Sequence, residues 1–245
     1  MATLILLRHG RTTSNAGGTL AGRQPTELDD TGRAQAVAVG ERLRAAKVPL
    51  AAVVSSPLLR CIQTLELALP GTVPVSEPRL VEAGYGDWEG QSLKKLAKQP
   101  LWQVVQIHPS AARFPGGESM PEMSARAVAA VREWDAKLGA EAVWLACSHG
   151  DVIKAIVADA LGMHLDLFQR VVVDPGSLTV IRYTPLRPFL LTANDTGSDL
   201  SGLRPPRRRS RRRAAAASSD AVVGGGAGGA DPRGNGGTER LGSNL

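Results

Sequence analysis

Cysteine is scarce: Cys61 and Cys147 are the only two in 245 residues. Two cysteines make no framework of the kind that staples small secreted domains, so the expectation is a cytoplasmic protein with reduced thiols. No run of 18 or more apolar residues occurs, and no membrane-spanning helix is expected. The apolar start is short and closed by Arg8, unlike a secretory leader. Metal-binding patterns are missing too, with no HExxH and no CxxC. A phosphate-cradling GxxxxGK[ST] loop is absent. A cysteine-based phosphatase requires an arginine six residues after the nucleophile, but Leu67 follows Cys61 and Ile153 follows Cys147 at that distance. The expectation is therefore a chain without a metal or cofactor.

Acid and base are unevenly spread. The chain carries a net charge of +6, yet residues 1–203 hold 20 basic and 20 acidic residues. The whole excess lies beyond them, beginning with seven arginines in residues 204–213 and continuing into an Ala-, Gly- and Ser-rich stretch. Such a composition cannot bury a core. Residues 1–200 are expected to form the catalytic domain and residues 201–245 a disordered tail. Contact of the arginines with nucleic acid or an acidic surface, through counterion release, stays open. So does homo-oligomerisation, on which the sequence is silent.

Within the first 200 residues strands alternate with helices. Thr3–Leu7 is a continuous apolar run, the pattern of a strand buried on both faces. The spacing predicts a helix over 31–46, a strand over 48–54, a helix over 57–69 and a short strand at 73–75. Residues 80–118, rich in Gly and Pro, read as an irregular excursion or lid outside the core. A helix over 119–138, a strand over 142–147 and a helix to about 161 follow, with a closing strand pair at 177–183 and 189–192. This alternation predicts an α/β/α sandwich around a mostly parallel sheet, with chemistry at the carboxyl ends of the strands.

Two of the four histidines sit at such ends. Leu4–Leu7 leads into Arg8-His9-Gly10, and Val143–Cys147 leads into Ser148-His149-Gly150. Both imidazoles should emerge at one rim, with glycines that let the backbone turn and a ligand approach. His108 and His164 lack this context and read as surface or packing residues. Arg8, Arg11 and Arg60 fall near the same rim, and arginine suits a bidentate grip on phosphate oxygens. With metal, thiolate and nucleotide-loop chemistry unsupported, histidine as nucleophile toward phosphorus remains.

The segment Leu6-Leu7-Arg8-His9-Gly10-Arg11-Thr12 resembles the signature of the histidine phosphatase superfamily, which includes the cofactor-dependent phosphoglycerate mutases. Gly22-Arg23, Gly32, Gln35-Ala36, Ser55-Ser56-Pro57-Leu58-Leu59-Arg60, Leu80-Val81-Glu82, Tyr85-Gly86-Asp87-Trp88-Glu89-Gly90, Pro115-Gly116-Gly117-Glu118-Ser119 and Ser148-His149-Gly150 follow in the family's order. The resemblance covers about residues 3–185. It implies a phosphoglycerate mutase-like fold and a phosphohistidine on His9. His149, Arg8 and Arg60 would hold the phosphoryl group, and Glu82 would act as proton donor and then base. Asn15, Gly22, Arg11, Tyr85 and Gly150 would contact substrate. Glu89 reads as a structural hydrogen-bonding residue.

The resemblance leaves two fates for the phosphohistidine: transfer to water or to a bound phospho-acid. No Arg-Arg pair lies between Glu82 and His149, Ala21 stands where the mutases have Thr, and Asp151 where they have Asn. Lys94, Lys95 and Lys98 read as a solvated face. Hydrolysis of a small phosphorylated metabolite is the first reading. Phosphomutase is the second, kept open by Tyr85.

Overall fold

A computed structural model of the chain describes residues 2–197 and 223–226. Six strands form one sheet: β1 (Thr3–Arg8), β2 (Leu50–Ser55), β3 (Val75–Ser76), β4 (Val143–Ser148), β5 (Leu178–Arg182) and β6 (Phe189–Asp195). Their order is β3-β2-β4-β1-β5-β6. The first four run parallel, while β5 joins β1 and β6 joins β5 antiparallel. The fold class is the expected α/β, with this antiparallel pair extending one edge.

Seven α-helices accompany the sheet among the described residues: α1 (Thr13–Ala16), α2 (Asp30–Ala45), α3 (Leu59–Ala68), α4 (Leu93–Leu96), α5 (Pro100–Ile107), α6 (Met120–Leu138) and α7 (Gly150–Ala160). Alternation along the strands divides the core in two. Ile5 and Leu7 of β1, with Leu145 and Cys147 of β4, face α2 and α3 through Val39, Leu43, Cys61 and Leu65. Leu4, Leu6, Trp144 and Ala146 face the other way, against Met123 and Ala127 of α6 and Ile153 and Ile156 of α7.

Helix starts follow local chemistry. Asp29 accepts the Gly32 amide at 2.8 Å to open α2. Ser119 and Glu122 form a reciprocal capping box on α6. α3 begins two residues later than expected, at Leu59, with no side-chain cap. β3 is two residues long and centred slightly later than predicted.

Residues 80–118 depart from the expected excursion. Leu80, Tyr85, Trp88, Leu96, Trp102 and Phe114 are buried in the same cluster as α6 and α7. Tyr85 meets Phe114 edge-on at 4.9 Å, and Trp88 meets Phe114 at 5.3 Å. The segment is a core layer built on short helices and turns. Its buried aromatic side chains follow neither a helical nor a strand period, so no periodicity announced them.

The tail departs at one point. Val223 is 1% exposed and packs into that same cluster. The expectation that everything beyond residue 200 stays out of the core therefore fails for residues 223–226. The arginine run 204–213 lies outside the described residues. Among the described residues, no helix is long and apolar enough to cross a membrane.

Candidate active site

Register places the two histidines side by side. Arg8 is the partner of Ser148 at the last rung of β1 and β4. The His9 amide then donates to the Ser148 carbonyl at 3.0 Å, and the two rings stand 5.2 Å apart. The turn after His9 is crowded: a Cβ on Gly10 would lie 2.4 Å from the Gly32 carbonyl oxygen. Thr64 on α3 accepts the Gly10 amide at 3.0 Å and so fixes this turn from the opposite layer.

Arg60, in the first turn of α3 and 2% exposed, joins the two rings. Its Nε lies 3.2 Å from His9 Nε2 and 3.2 Å from His149 Nδ1. A guanidinium only donates, so both of these ring nitrogens present lone pairs. The ring protons are then on the other nitrogens. His9 Nδ1 donates to the Gly10 carbonyl at 2.7 Å, and His149 Nε2 donates to Ser56 Oγ at 2.8 Å. Burial, followed by the charges of Arg60 and neighbouring groups, holds both imidazoles well below the ordinary histidine pKa. Both are neutral at pH 7, with Nε2 of His9 available as a nucleophile.

Arg60 also donates to the carbonyls of Gly22 at 2.6 Å and Gln24 at 3.3 Å, drawing the loop after α1 over the pocket. Arg8 is fully buried, and burial pushes its pKa down to about 10, which leaves it charged at neutral pH. Its Nη1 donates to the Val173 carbonyl at 2.7 Å. Glu82, 4% exposed, accepts its neighbour's amide (Ala83) at 2.9 Å. Burial, and then the charge of Asp151, raise its pKa to about 7. A carboxyl poised there can both give and take a proton near neutral pH. Its backbone is held from outside the pocket, because the Glu82 carbonyl accepts from Arg23 at 3.1 Å and Arg126 at 3.0 Å. Glu118 anchors both of those arginines, at 2.9 and 2.6 Å.

His9, Arg60, Glu82, Asn15, Gly22 and Tyr85 line one cavity. Arg8 and His149 are fully buried and do not line it. Arg11 does not join them: it pairs with Asp29 at 2.7 Å and donates to Thr31 at 2.7 Å, tying the histidine turn to the start of α2. Asp29 is the nearer and stronger partner for that guanidinium, which takes it out of the phosphate cluster. Gly150 does not line the cavity either and serves as the first residue of α7. Glu89 accepts the Tyr85 amide at 3.1 Å, a structural bond. His108 and His164 lie on the surface beside Asp166. Among the described residues, no three His, Cys, Asp or Glu side chains converge as metal ligands.

Three contributions were not expected. Ser56 and Thr64 lie in a motif whose individual roles the sequence does not distinguish. Asp151 is fully buried, accepts Tyr85 Oη at 2.8 Å and lies 3.6 Å from Lys154 Nζ. Residues 223–226 reach the cavity from the tail.

A sheet with paired histidines at adjacent parallel strand ends, bridged by a buried arginine, defines a histidine phosphatase. The family model of the histidine phosphatase superfamily (branch 1) matches residues 4–196, and the chain belongs to that superfamily. It is similar to glucosyl-3-phosphoglycerate phosphatase of Mycolicibacterium vanbaalenii, with 36% identity over 173 residues, 66% of this chain and 76% of the relative. It is also similar to the probable phosphoglycerate mutase GpmB of Yersinia pestis, with 29% identity over 187 residues, 75% of this chain and 86% of the relative. The solved structure of Bacillus stearothermophilus YhfR matches with a TM-score of 0.73 at 28% identity, covering 80% of this chain and 98% of that one. Mycobacterial glucosyl-3-phosphoglycerate phosphatase with VO3 matches with a TM-score of 0.70 at 29% identity, covering 78% and 98%.

Proposed function

We propose that the protein hydrolyses phosphomonoesters of small metabolites through a phosphohistidine on His9. The observation that carries this reading is the Arg60 Nε shared between the lone pairs of two neutral, buried imidazoles. A phosphoryl group entering there meets a nucleophile and a positive charge together. The Nε2 lone pair of His9 forms the P–N bond as the ester P–O bond breaks. The Glu82 carboxyl gives its proton to the leaving oxygen. Water then attacks phosphorus, Glu82 takes back a proton, and the P–N pair returns to Nε2 as phosphate departs. Arg8 and Arg60 stabilise the charge on the equatorial oxygens, and His149, accepting from Arg60 through Nδ1, holds that guanidinium in place.

Water is favoured over a phospho-acid acceptor by what lines the cavity. Apart from Arg8 and Arg60, both assigned to the phosphoryl group, no lysine or arginine is found among the described residues that line the cavity or bond to its lining tail segment. Lys94, Lys95 and Lys98 are exposed on and after α4, and Arg113 pairs with Glu122 at 2.5 Å. A mutase needs a second cationic grip for its substrate carboxylate. The two free, buried cysteines fit a reducing, cytoplasmic setting.

The test is turnover of para-nitrophenyl phosphate in excess EDTA, followed by a panel of phosphorylated sugars and sugar acids. Activity that survives EDTA and is lost in His9→Ala is the expected result. Activity retained in His9→Ala would overturn the phosphohistidine.

A further inference from the structure

The tail segment Val223–Gly226 lines the cavity of the site just described. Its backbone is clamped between opposite charges. Arg8 Nη2 donates to the Gly226 carbonyl at 2.6 Å and to the Gly224 carbonyl at 3.2 Å. The Gly224 amide donates in turn to Asp151 Oδ2 at 3.0 Å, the same oxygen that Tyr85 Oη reaches. Val223 anchors the segment in the apolar cluster. Three glycines follow it, and this is what permits the approach. Gly224 has φ +73° and Gly226 φ +55°, and a Cβ on Gly224 would come within 3.1 Å of Leu20 Cδ1.

The cavity left beside this segment measures about 30 Å³. Small-molecule sites run to several hundred Å³. A metabolite carrying a phosphate group does not fit while the segment is in place. Nor is the segment part of the common scaffold: the family match ends at residue 196, and YhfR is almost wholly covered by 80% of this chain.

We infer that Val223–Gly226 is an intramolecular occupant of the substrate site, competing with the phosphoryl group for Arg8. The inference rests on the phosphatase reading for the identity of the competing ligand. The contact is built to be displaced. Neutral carbonyls are weaker partners for a guanidinium than a phosphate, which brings its own negative charge and can take the guanidinium fork bidentately. Holding three consecutive glycines in one conformation also carries the largest backbone entropy cost of any residue type. Apparent affinity for substrate is then the intrinsic affinity reduced by the fraction of molecules with the site open.

The experiment uses the full chain and two variants outside the catalytic set. Val223→Asp places a charge in the apolar anchor, and Gly224→Val opposes both the positive φ and the contact with Leu20. Inorganic phosphate binding is measured by calorimetry beside para-nitrophenyl phosphate kinetics. In both variants the Kd for phosphate and the KM should fall by about fivefold or more, with kcat unchanged. A synthetic peptide of residues 219–229 should inhibit Val223→Asp competitively. Unchanged phosphate affinity in both variants, or a rise in KM with a fall in kcat, overturns the inference; the latter would make the segment a wall of the working site. If the wild type and both variants fail to turn over para-nitrophenyl phosphate, the phosphatase reading falls. The phosphate affinities still decide whether the tail occupies the site.

Discussion

The ends of β1 and β4 look alike in sequence, and yet they deliver their histidines differently. Each strand runs apolar into a His-Gly step, and each imidazole turns a lone pair toward Arg60. At His9 the proton sits on Nδ1, held by the carbonyl of the very next residue, and Nε2 faces the cavity. At His149 the proton sits on Nε2, held by a serine from another element, and Nδ1 faces the arginine. His9 lines the cavity and His149 does not. The same local motif thus presents a lone pair to the cavity at one strand end, where we propose the nucleophile, and an acceptor that holds Arg60 at the other. The hydrogen bond on the far side of each ring makes the difference.

Replacing each histidine in turn tests that asymmetry most severely. His9→Ala removes the atom that bonds to phosphorus and should cost on the order of 10⁴-fold or more in kcat/KM. His149→Ala removes only the ring that holds the Arg60 guanidinium in place, a loss of about 10²- to 10³-fold. Protein incubated with a labelled substrate and quenched in alkaline detergent should carry a base-stable, acid-labile phosphoryl group in His149→Ala and none in His9→Ala. Equal losses and equal labelling would mean that the two strand ends are interchangeable.

Glu82 sharpens the comparison from the side of the leaving group. Its pKa near 7 lies above the ordinary carboxylate value, so the protonated form persists to neutral pH. His9 protonates only well below its ordinary value. With an alkyl phosphate, kcat/KM should therefore hold level through mildly acidic pH and fall as pH rises through about 7. Glu82→Gln should cost about 10²- to 10³-fold with that substrate. The loss should be much smaller with para-nitrophenyl phosphate, whose leaving group needs little proton assistance. Asp151→Asn removes the nearby negative charge that helps to raise Glu82 and should move the alkaline limb toward lower pH. A limb that does not move in Asp151→Asn would assign the shift to burial alone.

The sequence made the strand ends readable because an unbroken apolar run followed by His-Gly has few other structural meanings, and the order of motifs narrowed the rest. It ranked Arg11 behind Arg8 and Arg60 but still placed it at the phosphate rim. The difference is set by Asp29, eighteen residues on, which takes Arg11 away. It missed the core role of residues 80–118 because Tyr85, Trp88, Trp102 and Phe114 are buried from turns and short helices without a period. It missed Val223 for the opposite reason. A pair of valines, Val222 and Val223, among alanines and glycines gives no compositional signal of burial, and only the shape of the pocket in space reveals the partner of Val223.

The finest test concerns the bond that distinguishes the rings. The acceptor for His9 is a backbone carbonyl and cannot be mutated away, but the acceptor for His149 is the hydroxyl of buried Ser56. Ser56→Ala leaves His149 Nε2 with only the Cys61 sulfur, 3.6 Å away, as a weak partner. Losing one such bond is worth about 1 kcal/mol, and roughly a fivefold drop in kcat/KM is expected. The ring should also lose its tautomer preference, visible in the imidazole ¹⁵N shifts of His149 and absent from those of His9. Ser56→Thr, which restores the hydroxyl, should recover most of the activity. The same loss with unchanged ¹⁵N shifts would point to packing around β2 as the cause. Unchanged activity would show that His149 works in either tautomer, and the contrast between the two strand ends would then rest on position alone.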